Sequence, residues 1–240
     1  MNIVKSVVSA FYPNICAGCG QVLDGDEYFC DYCFEMLEHC HADKICRKCG
    51  LPKKHCECGK YIFHFDACAA AFRNEGVAKK AMYAFKFRHK EHLARYFAEQ
   101  MALMIKQRYT GIKIDFIAYV PMTKAKVLRR GYNQSYILAM ELSKILKIPL
   151  GRGILRCVKS GKLTQHELSK KDRFQNIKGK YCCDVRLDSK SILLVDDIKT
   201  TGATFDECSK QLIAAGADSV YCIAGLITYN KKKEEKNNGN

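Results

Sequence analysis

The stretch that decides the fold runs Ile192-Leu193-Leu194-Val195-Asp196-Asp197-Ile198-Lys199-Thr200-Thr201-Gly202-Ala203-Thr204. Four apolar residues open it and predict a buried parallel strand. After the threonine-rich turn, apolar side chains are spaced as one face of a helix: Phe205, Cys208, Leu212 and Ile213. A strand, a polar turn and a helix in this order are typical of an α/β fold, in which ligands bind at the carboxyl ends of the strands.

The polar turn has the chemistry of a phosphate site. The N–H groups in the first turn of a helix lack intrahelical partners, the helix dipole favours an anion, and Gly202 lets the backbone approach closely. Asp196 and Asp197 would face a sugar, because paired carboxylates accept hydrogen bonds from a vicinal diol or hold it through Mg²⁺. The segment therefore predicts a site for a ribose with a 5′-phosphate. The competing interpretation is an ordinary turn whose polar residues only cap the helix.

The same segment resembles the phosphoribosyl pyrophosphate (PRPP) motif of type I phosphoribosyltransferases, in which an apolar strand precedes two acids and a Thr-Thr-Gly loop. The resemblance implies that Asp196 and Asp197 contact the ribose hydroxyls. It further implies that the 5′-phosphate is held by the residues Lys199, Thr200, Thr201, Gly202, Ala203 and Thr204. Lys199 departs from the motif, where an apolar or small residue is expected. Its side chain is either an additional cation near the phosphate or one that points to solvent.

Length and cysteine content indicate an intracellular protein of two parts. The chain has 240 residues and 15 cysteines, most of them before residue 70. A disulfide framework would need an oxidising compartment, but the N-terminus has no secretory pattern. It carries instead an apolar helical stripe too short to span a membrane: Ile3, Val4, Val7, Val8 and Phe11. We therefore expect a cytoplasmic protein without a membrane span.

Cysteines in the first sixty residues have the spacing of metal ligands. Cys16 and Cys19 form a C-x₂-C pair, and Cys30 and Cys33 form another. Four thiolates on two such turns close a tetrahedron around Zn²⁺. A second set consists of Cys46, Cys49, Cys56 and Cys58. The pattern predicts a double zinc ribbon with two structural Zn²⁺ ions.

Other interpretations of these cysteines stay open. They are one zinc with spare thiols, ligand sets in which His55 or Cys40 replaces a cysteine named above, and an iron–sulfur cluster. A closed Cys₄ site leaves no open coordination position, so the metal would fold a module too small to support itself with an apolar core. Five later cysteines lie in apolar contexts and are expected in the core: Cys157, Cys182, Cys183, Cys208 and Cys222.

From residue 66 the pattern alternates between strands and helices. Strands are predicted at 66–72, 114–120, 154–158, 181–187, 191–195 and 220–228, and helices around Met82–Phe87, Leu93–Ile105 and 132–146. The expected fold class is α/β and type I phosphoribosyltransferase-like, with a mostly parallel sheet flanked by helices and a small N-terminal zinc-ribbon module. The expected organisation is an N-terminal helix and double zinc ribbon (1–60), a phosphoribosyltransferase-like domain (61–229) and a disordered tail (230–240).

A second site element follows the strand that ends near Val120. It carries the cations Lys124, Lys126, Arg129 and Arg130. If the strands are parallel, these cations lie at the same edge of the sheet as Asp196. The equivalent region of phosphoribosyltransferases supplies the pyrophosphate loop, so the resemblance implies that this basic loop binds the pyrophosphate of PRPP. A solvated basic loop without a ligand is the alternative.

Further strings resemble the ComF family of competence-associated, phosphoribosyltransferase-like proteins. Residues 130–134 read Arg-Gly-Tyr-Asn-Gln and match the family's Arg-Gly-aromatic-Asn-Gln string. Lys86, Phe87 and Arg88 match its Lys-Phe element. A third segment matches in part, through Thr164, Gln165, Leu168, Arg173 and Asn176. The longer members of the family also begin with a double zinc ribbon.

The family resemblance implies a PRPP-binding protein that handles single-stranded DNA during natural competence and transformation. PRPP with Mg²⁺ would be its small ligand, and other competence proteins would be partners. The alternative is an active phosphoribosyltransferase that moves ribose 5-phosphate from PRPP to a small acceptor. The sequence identifies no acceptor and no general base, although His166 and Glu167 lie in a suitable region.

The charge of the chain fits a polyanionic partner. The formal net charge is +15, and it stays strongly basic after two Cys₄ zinc sites of about −2 each are included. Besides the basic loop, cations cluster at Lys86, Arg88, Lys90 and Arg95, and at Lys159, Lys162, Lys170, Lys171 and Arg173. Nearby aromatic residues suit either base stacking or core packing: Tyr83, Phe85, Phe87 and Tyr132. Charge alone predicts only non-specific affinity for nucleic acid.

Overall fold

The computed structural model describes residues 14–88, 90–158 and 170–229, with the side chains of 170–173 excepted. Several sequence predictions therefore lie outside the described residues. These are the N-terminal helical stripe, the tail 230–240, the residues Lys159, Lys162, Thr164, Gln165, His166, Glu167 and Leu168, and the side chains of Lys170, Lys171 and Arg173.

A parallel sheet of four strands forms the centre of the molecule. Its strands are β3 (Ala67–Arg73), β4 (Phe116–Tyr119), β7 (Ser191–Lys199) and β8 (Ser219–Ile227), in the spatial order β3-β8-β7-β4. Apolar and β-branched runs fill these strands, as expected for a sheet buried on both faces. All carboxyl ends meet at one edge, which is where ligands bind in such sheets.

Helices cover both faces of this sheet. The chain forms α1 (Asp31–Glu35), α2 (Gly76–Phe87), α3 (Leu93–Arg108), α4 (Lys124–Arg130), α5 (Gln134–Leu146), α6 (Lys170–Ile177) and α7 (Ala203–Ala214). Phe85, Phe97 and Leu138 from α2, α3 and α5 belong to the core on one face. Phe205 and Leu212 from α7 belong to the core on the other. Among the described residues, no helix combines the length and the apolar character needed to cross a bilayer.

Two predicted strands form a small sheet of their own. β5 (Leu155–Cys157) pairs antiparallel with β6 (Tyr181–Cys183), apart from the central sheet. The prediction that all five later cysteines are core residues holds for Cys208 and Cys222, which are fully buried. It is wrong for the three cysteines on the small sheet, Cys157, Cys182 and Cys183, which are only partly buried. Two strands alone cannot cover both of their faces.

The N-terminal module packs against the outer edge of β3. It contains the short strands β1 (Asn14–Ile15) and β2 (Val22–Leu23), α1 and a 3₁₀ turn at Lys53–His55. The Cys40 N–H donates to the Ala71 carbonyl at 2.8 Å, and the Cys68 N–H donates to the Arg47 carbonyl at 3.1 Å. These bonds use backbone groups that an edge strand would otherwise expose. The module therefore closes one side of the sheet.

The fold class expected from the sequence is confirmed. The molecule has a mostly parallel sheet flanked by helices, and a small cysteine-rich module precedes it. The predicted alternation of strands and helices after residue 66 also holds, with ends that shift by a few residues.

Candidate functional site

β7 continues further than its apolar run. The predicted strand stopped at Val195, but β7 runs to Lys199, because β8 keeps pairing with it through Ile227. β4 on its other side stops at Tyr119, opposite Val195. Among the described residues, Asp196 and Asp197 therefore lie on a strand that is paired on one side only. This places both carboxylates at the carboxyl edge of the sheet, as the sequence indicated.

Asp196 accepts hydrogen bonds from two groups. The Ser135 hydroxyl, at the start of α5, donates to it at 2.7 Å, and the Asp197 N–H donates at 2.9 Å. Removal of the carboxylate from water, together with the adjacent Asp197 charge, raises the pKa of Asp196 to about 7. A carboxylate with a raised pKa is one whose charge lacks compensation. A divalent cation at this position would supply it, so these residues fit Mg²⁺.

Asp197 is paired with a cation. Its Oδ2 lies 2.5 Å from Nζ of Lys86 in the last turn of α2, and both side chains are largely buried. Sequence reasoning placed Lys86 in a basic cluster with Arg88, Lys90 and Arg95 and did not list it among the PRPP-binding residues. Its only sequence signal is its position in the Lys-Phe element of the ComF resemblance. The structure brings it directly to the paired acids.

The predicted phosphate loop forms the N-terminus of α7. Gly202 is the N-cap residue with φ of +87°, a conformation that glycine adopts without strain. The Thr201 hydroxyl accepts a hydrogen bond from the Ala203 N–H at 3.3 Å. Thr200 is exposed, and Thr204 is partly exposed in the first turn. The first turn of α7 therefore presents its N–H groups beside the acids, as a phosphate requires.

Lys199 is buried and does not point to solvent. Its side chain is 3% exposed. A Cβ on Gly202 would lie 3.2 Å from Cε and 3.6 Å from Nζ of Lys199, so the ammonium group lies beneath the phosphate loop. Within residues 14–88, 90–158 and 170–229, no carboxylate forms an ion pair with it. Of the two alternatives for this residue, the structure supports a cation next to the loop.

The basic loop faces the same edge of the sheet. α4 begins after Thr123, whose hydroxyl caps the helix, and ends at Gly131. The Asn133 side chain caps α5 and also donates to the Val120 carbonyl at 3.1 Å. These two caps hold the loop against the end of β4. Its cations are Lys124, Lys126 and Arg129, which are exposed, and Arg130, which is partly buried.

Arg130 of the basic loop and a further lysine, Lys180, place positive charge at partly and largely buried positions. Arg130 donates to Oε1 of Gln134 at 3.2 Å. Lys180, just before β6, is 8% exposed and was not assigned from sequence. Lys126 is exposed, but its partial removal from water by neighbouring atoms, with Lys180 and Arg130 nearby, lowers its pKa. The cations thus converge from two segments, which is the arrangement that a pyrophosphate needs.

Two clusters of four cysteines lie where the sequence places the metal ligands. Each set, Cys16, Cys19, Cys30 and Cys33, and Cys46, Cys49, Cys56 and Cys58, has its sulfur atoms within 4.8 Å of one another. Sulfur pairs in both clusters are 3.8 Å apart. Zn–S bonds of about 2.3 Å in a tetrahedron give an S–S separation of about 3.8 Å. The residues therefore fit two structural zinc ions.

In the described part of the chain, neither Cys40 nor His55 joins either cluster. Cys40 lies apart from both clusters against β3, where burial raises the pKa of its thiol to about 12. The His55 ring packs on Tyr229, with centroids 5.2 Å apart. Cys49 is fully buried and Cys16 nearly so, which places each site between the ribbon and the cores beneath it.

The second zinc cluster connects to the phosphate loop. The segment after Cys58 carries Phe63, whose ring would lie 3.4 Å from a Cβ on Gly202. The next residue, His64, donates through its backbone N–H to Asp206 Oδ1 at 2.7 Å, in the first turn of α7. The ribbon thus supports the loop from behind.

Comparison with known proteins finds similarity along most of the chain. The family model "Double zinc ribbon domain" matches residues 7–71. Competence protein F of Haemophilus influenzae is 29% identical, with 86% of this chain and 87% of that protein covered. DNA utilization protein YhgH of Escherichia coli is 27% identical over 90% of this chain and 98% of its own length. Competence protein ComFC of Bacillus subtilis is 24% identical over 81% of this chain and 82% of its own length.

Solved structures align more loosely. A purine phosphoribosyltransferase from Pyrococcus horikoshii covers 56% of this chain and 84% of its own, with 16% identity and a TM-score of 0.35. The alignment with adenine phosphoribosyltransferase from Thermoanaerobacter pseudethanolicus covers 59% of this chain and 83% of that protein, with 19% identity and a TM-score of 0.34. Superpositions this loose carry nothing about activity. The sequence relatives span most of the chain: it is homologous to Competence protein F, DNA utilization protein YhgH and Competence protein ComFC, and its residues 7–71 match the double zinc ribbon model.

Proposed function

We propose that the chain binds PRPP together with Mg²⁺ at the carboxyl ends of β4 and β7. The observation that carries this proposal is the succession of Asp196, Asp197 and the Gly202-capped start of α7 on one strand end, opposite the basic loop. A phosphate-binding turn beside paired carboxylates suits a ribose 5-phosphate, and the cations opposite suit a pyrophosphate.

Each group has a distinct part in this binding. The N–H groups of the first turn of α7 and the threonine hydroxyls hold the 5′-phosphate, with Lys199 beneath them. Asp196 and Asp197 orient the ribose hydroxyls, and Mg²⁺ supplies charge neutralisation between ribose and pyrophosphate. When PRPP is bound, Lys86 pairs either with the pyrophosphate or with Asp197. Arg129, Arg130, Lys124 and Lys126 offset the pyrophosphate charge.

We further propose a role in handling single-stranded DNA during natural transformation. The names of the relatives, Competence protein F, Competence protein ComFC and DNA utilization protein YhgH, motivate this part. The net charge of +15 supports it, since a basic protein attracts a polyanion and binds it in a salt-dependent way.

An active phosphoribosyltransferase is the second candidate function. The convergence of Lys126, Arg130 and Lys180 favours it, because such cations would stabilise a departing pyrophosphate as the sugar becomes oxocarbenium-like. In that reaction the C1–O bond to pyrophosphate breaks, and a bond from C1 to the acceptor forms.

The experiment that tests these proposals has two parts. Calorimetric titration of the full chain with PRPP, with and without Mg²⁺, should show Mg²⁺-dependent binding, and the absence of any heat change would contradict the site. Pyrophosphate release, measured with and without single-stranded DNA, then separates the functions. Binding without release supports a PRPP-responsive DNA-handling protein, whereas steady release with a small acceptor and no DNA binding supports the transferase.

A further inference from the structure

The outer face of α2 carries two aromatic rings that the core does not use. Tyr83 is 54% exposed and Phe87 is 47% exposed, and their ring centroids lie 4.8 Å apart. Residues four apart share one face of a helix, so the rings stand side by side at the surface. The buried face of the same helix is filled by Ala78, Ala81, Met82 and Phe85. Packing therefore does not explain the exposed pair.

A guanidinium group lies over each ring. Cζ of Arg130 is 4.9 Å from the centroid of Phe87, and Cζ of Arg88 is 5.9 Å from that of Tyr83. Lys79 and Lys80 are exposed one turn earlier, and α2 contains no Asp or Glu. From Lys80 to Phe87 the helix rises about 11 Å. The surface is thus a strip of aromatic rings bordered by positive charge at both ends.

We propose that Tyr83, Phe87, Arg88 and Arg130 form a stacking site for the unpaired bases of a single-stranded nucleic acid. We name these four residues the aromatic platform. Exposed rings bind single strands without sequence preference because every base has a π-face, and nearby cations bind the phosphates. This inference rests on the proposed function, since it names the surface on which the DNA would lie.

The structure selects this pair from a larger set of aromatic residues. Phe85 is fully buried, and the Tyr132 ring is partly buried against the core, with its centroid 5.7 Å from that of Phe85, so neither ring stands free at the surface. Tyr83 and Phe87 remain exposed. The other two residues had been candidates on sequence grounds because they lie near the same cations.

The aromatic platform adjoins the candidate PRPP site. Lys86 lies between its two rings in sequence and turns inward to Asp197, at 2.5 Å. Cζ of Arg130 lies 4.9 Å from the Phe87 ring centroid, and Arg130 also belongs to the basic loop. A strand stacked on the platform would place its phosphates beside the loop proposed to hold pyrophosphate.

A second exposed aromatic pair provides a matched control. Tyr32 and Phe34 on the ribbon are 72% and 55% exposed, but Asp31 and Glu35 are their immediate neighbours. Carboxylates repel a phosphate backbone, so this pair should not bind a nucleic acid.

The test titrates the full-length protein with two labelled probes of equal length, an oligothymidylate and an abasic strand. Tyr83→Leu should lower oligothymidylate affinity about 5- to 140-fold, the range expected for one lost stacking interaction, and should leave abasic-strand affinity unchanged. Phe87→Leu should lower oligothymidylate affinity in the same way. Tyr83→Phe keeps an aromatic ring and should retain oligothymidylate binding, and the control Tyr32→Leu should bind oligothymidylate as the wild type does. Circular dichroism would establish that each variant is folded.

Several outcomes would overturn the aromatic platform. The first is that the wild type binds oligothymidylate and the folded Tyr83→Leu and Phe87→Leu variants bind it with the same affinity. A second is equal wild-type affinity for both probes. A third is a wild-type dimer that Tyr83→Leu converts to monomer without affecting DNA, which would make the rings a protein interface. Failure of the wild type to bind either probe would instead contradict the DNA part of the proposed function, and PRPP calorimetry tests the other part separately.

Discussion

Asp196 and Asp197 are sequence neighbours with different surroundings. Asp196 is buried and lies next to a second carboxylate, and its hydrogen-bond donors among the described residues are neutral, so its pKa rises to about 7. Asp197 has Lys86 as an ion-pair partner. The two acids should therefore contribute to stability with opposite signs.

We expect Asp196→Asn to stabilise the ligand-free protein by about 1–3 kcal/mol at pH 8. The folded-state pKa of about 7 lies above the ordinary value of 3.8, so ionisation of Asp196 opposes folding increasingly as pH rises from about 4 to 7. The gain should shrink to about 0.5 kcal/mol near pH 4, where the carboxyl is protonated in the folded state and only partly ionised in the unfolded state. Urea unfolding at both pH values measures it, and an equal gain at pH 4 and pH 8 would rule out this cause.

Asp197→Asn should destabilise the protein by about 1–2 kcal/mol, because it leaves the largely buried Lys86 without its partner. The loss is smaller than for an isolated buried pair, since Asp196 remains nearby. The same urea experiment applies. A stabilised Asp197→Asn variant would show that repulsion between the acids outweighs the ion pair.

Sequence reasoning located the acids but not their partners. Asp196, Asp197 and the phosphate loop lie within one short segment, so local pattern was sufficient to predict them. Ser135 reaches Asp196 across 61 positions of the chain, and Lys86 reaches Asp197 from another helix. Such contacts depend on how α2 and α5 pack on the sheet, which the pattern of one segment does not specify.

At the scale of elements, the zinc ribbon and the sheet support one another. Gly50 directly follows Cys49, a ligand of the second cluster, and has a φ of +71°. A Cβ at Gly50 would lie 2.7 Å from the carbonyl oxygen of Cys68 in β3. The segment after the second cluster then reaches Gly202 through Phe63. The ribbon is therefore part of the framework behind the phosphate loop.

We expect elemental analysis to find close to two zinc ions per chain, because both clusters have tetrahedral S–S distances. The double variant Cys16→Ser/Cys30→Ser should retain about one. Iron in place of zinc, or two zinc ions surviving that double substitution, would contradict the assignment of the first site.

The two zinc sites should differ in their effect on PRPP. Cys19→Ser and Cys56→Ser each remove one exposed ligand, from the first and the second cluster. Only the second cluster leads through Phe63 and His64 to the start of α7. We expect Cys56→Ser to weaken PRPP binding more than Cys19→Ser, as measured by calorimetry on folded variants. Equal losses would indicate that the ribbon acts only through global stability.

The metal ligands were predictable because C-x₂-C spacing is a local pattern. The position of the ribbon on β3 was not, because it depends on backbone hydrogen bonds such as that between Cys40 and Ala71. The separate pairing of β5 with β6 was missed for the same reason. Strand partners are set by tertiary contacts rather than by the alternation of residues within a strand.

At the scale of the whole molecule, cationic side chains lie near the proposed positions of the phosphate groups of PRPP and DNA. The basic loop lies at the carboxyl edge of the sheet, beside the phosphate loop and the aromatic platform. The sequence predicted this shared edge from the parallel order of β4 and β7, and the strand pairing confirms that order.

We expect Arg129→Gln/Arg130→Gln to weaken single-stranded DNA binding and to flatten its salt dependence. Each lost phosphate contact lowers the slope of log affinity against log salt by about 0.7, so two contacts give about 1.4. Lys113→Gln/Lys147→Gln removes equal charge from exposed positions away from the basic loop and should leave the slope near that of the wild type. Titration of labelled single strands at several salt concentrations measures both, and the same slope in the two variants would indicate a diffuse charge effect.

The central claim is that Asp196 and Asp197 hold PRPP through Mg²⁺, and calorimetry on the double variant Asp196→Asn/Asp197→Asn tests it most directly. This change keeps side-chain size and removes both charges. The control is Asp218→Asn, which replaces an exposed acid just before β8. We predict that the folded double variant loses Mg²⁺-dependent PRPP binding while the control binds as the wild type does. Unchanged PRPP affinity in the folded double variant would contradict the account.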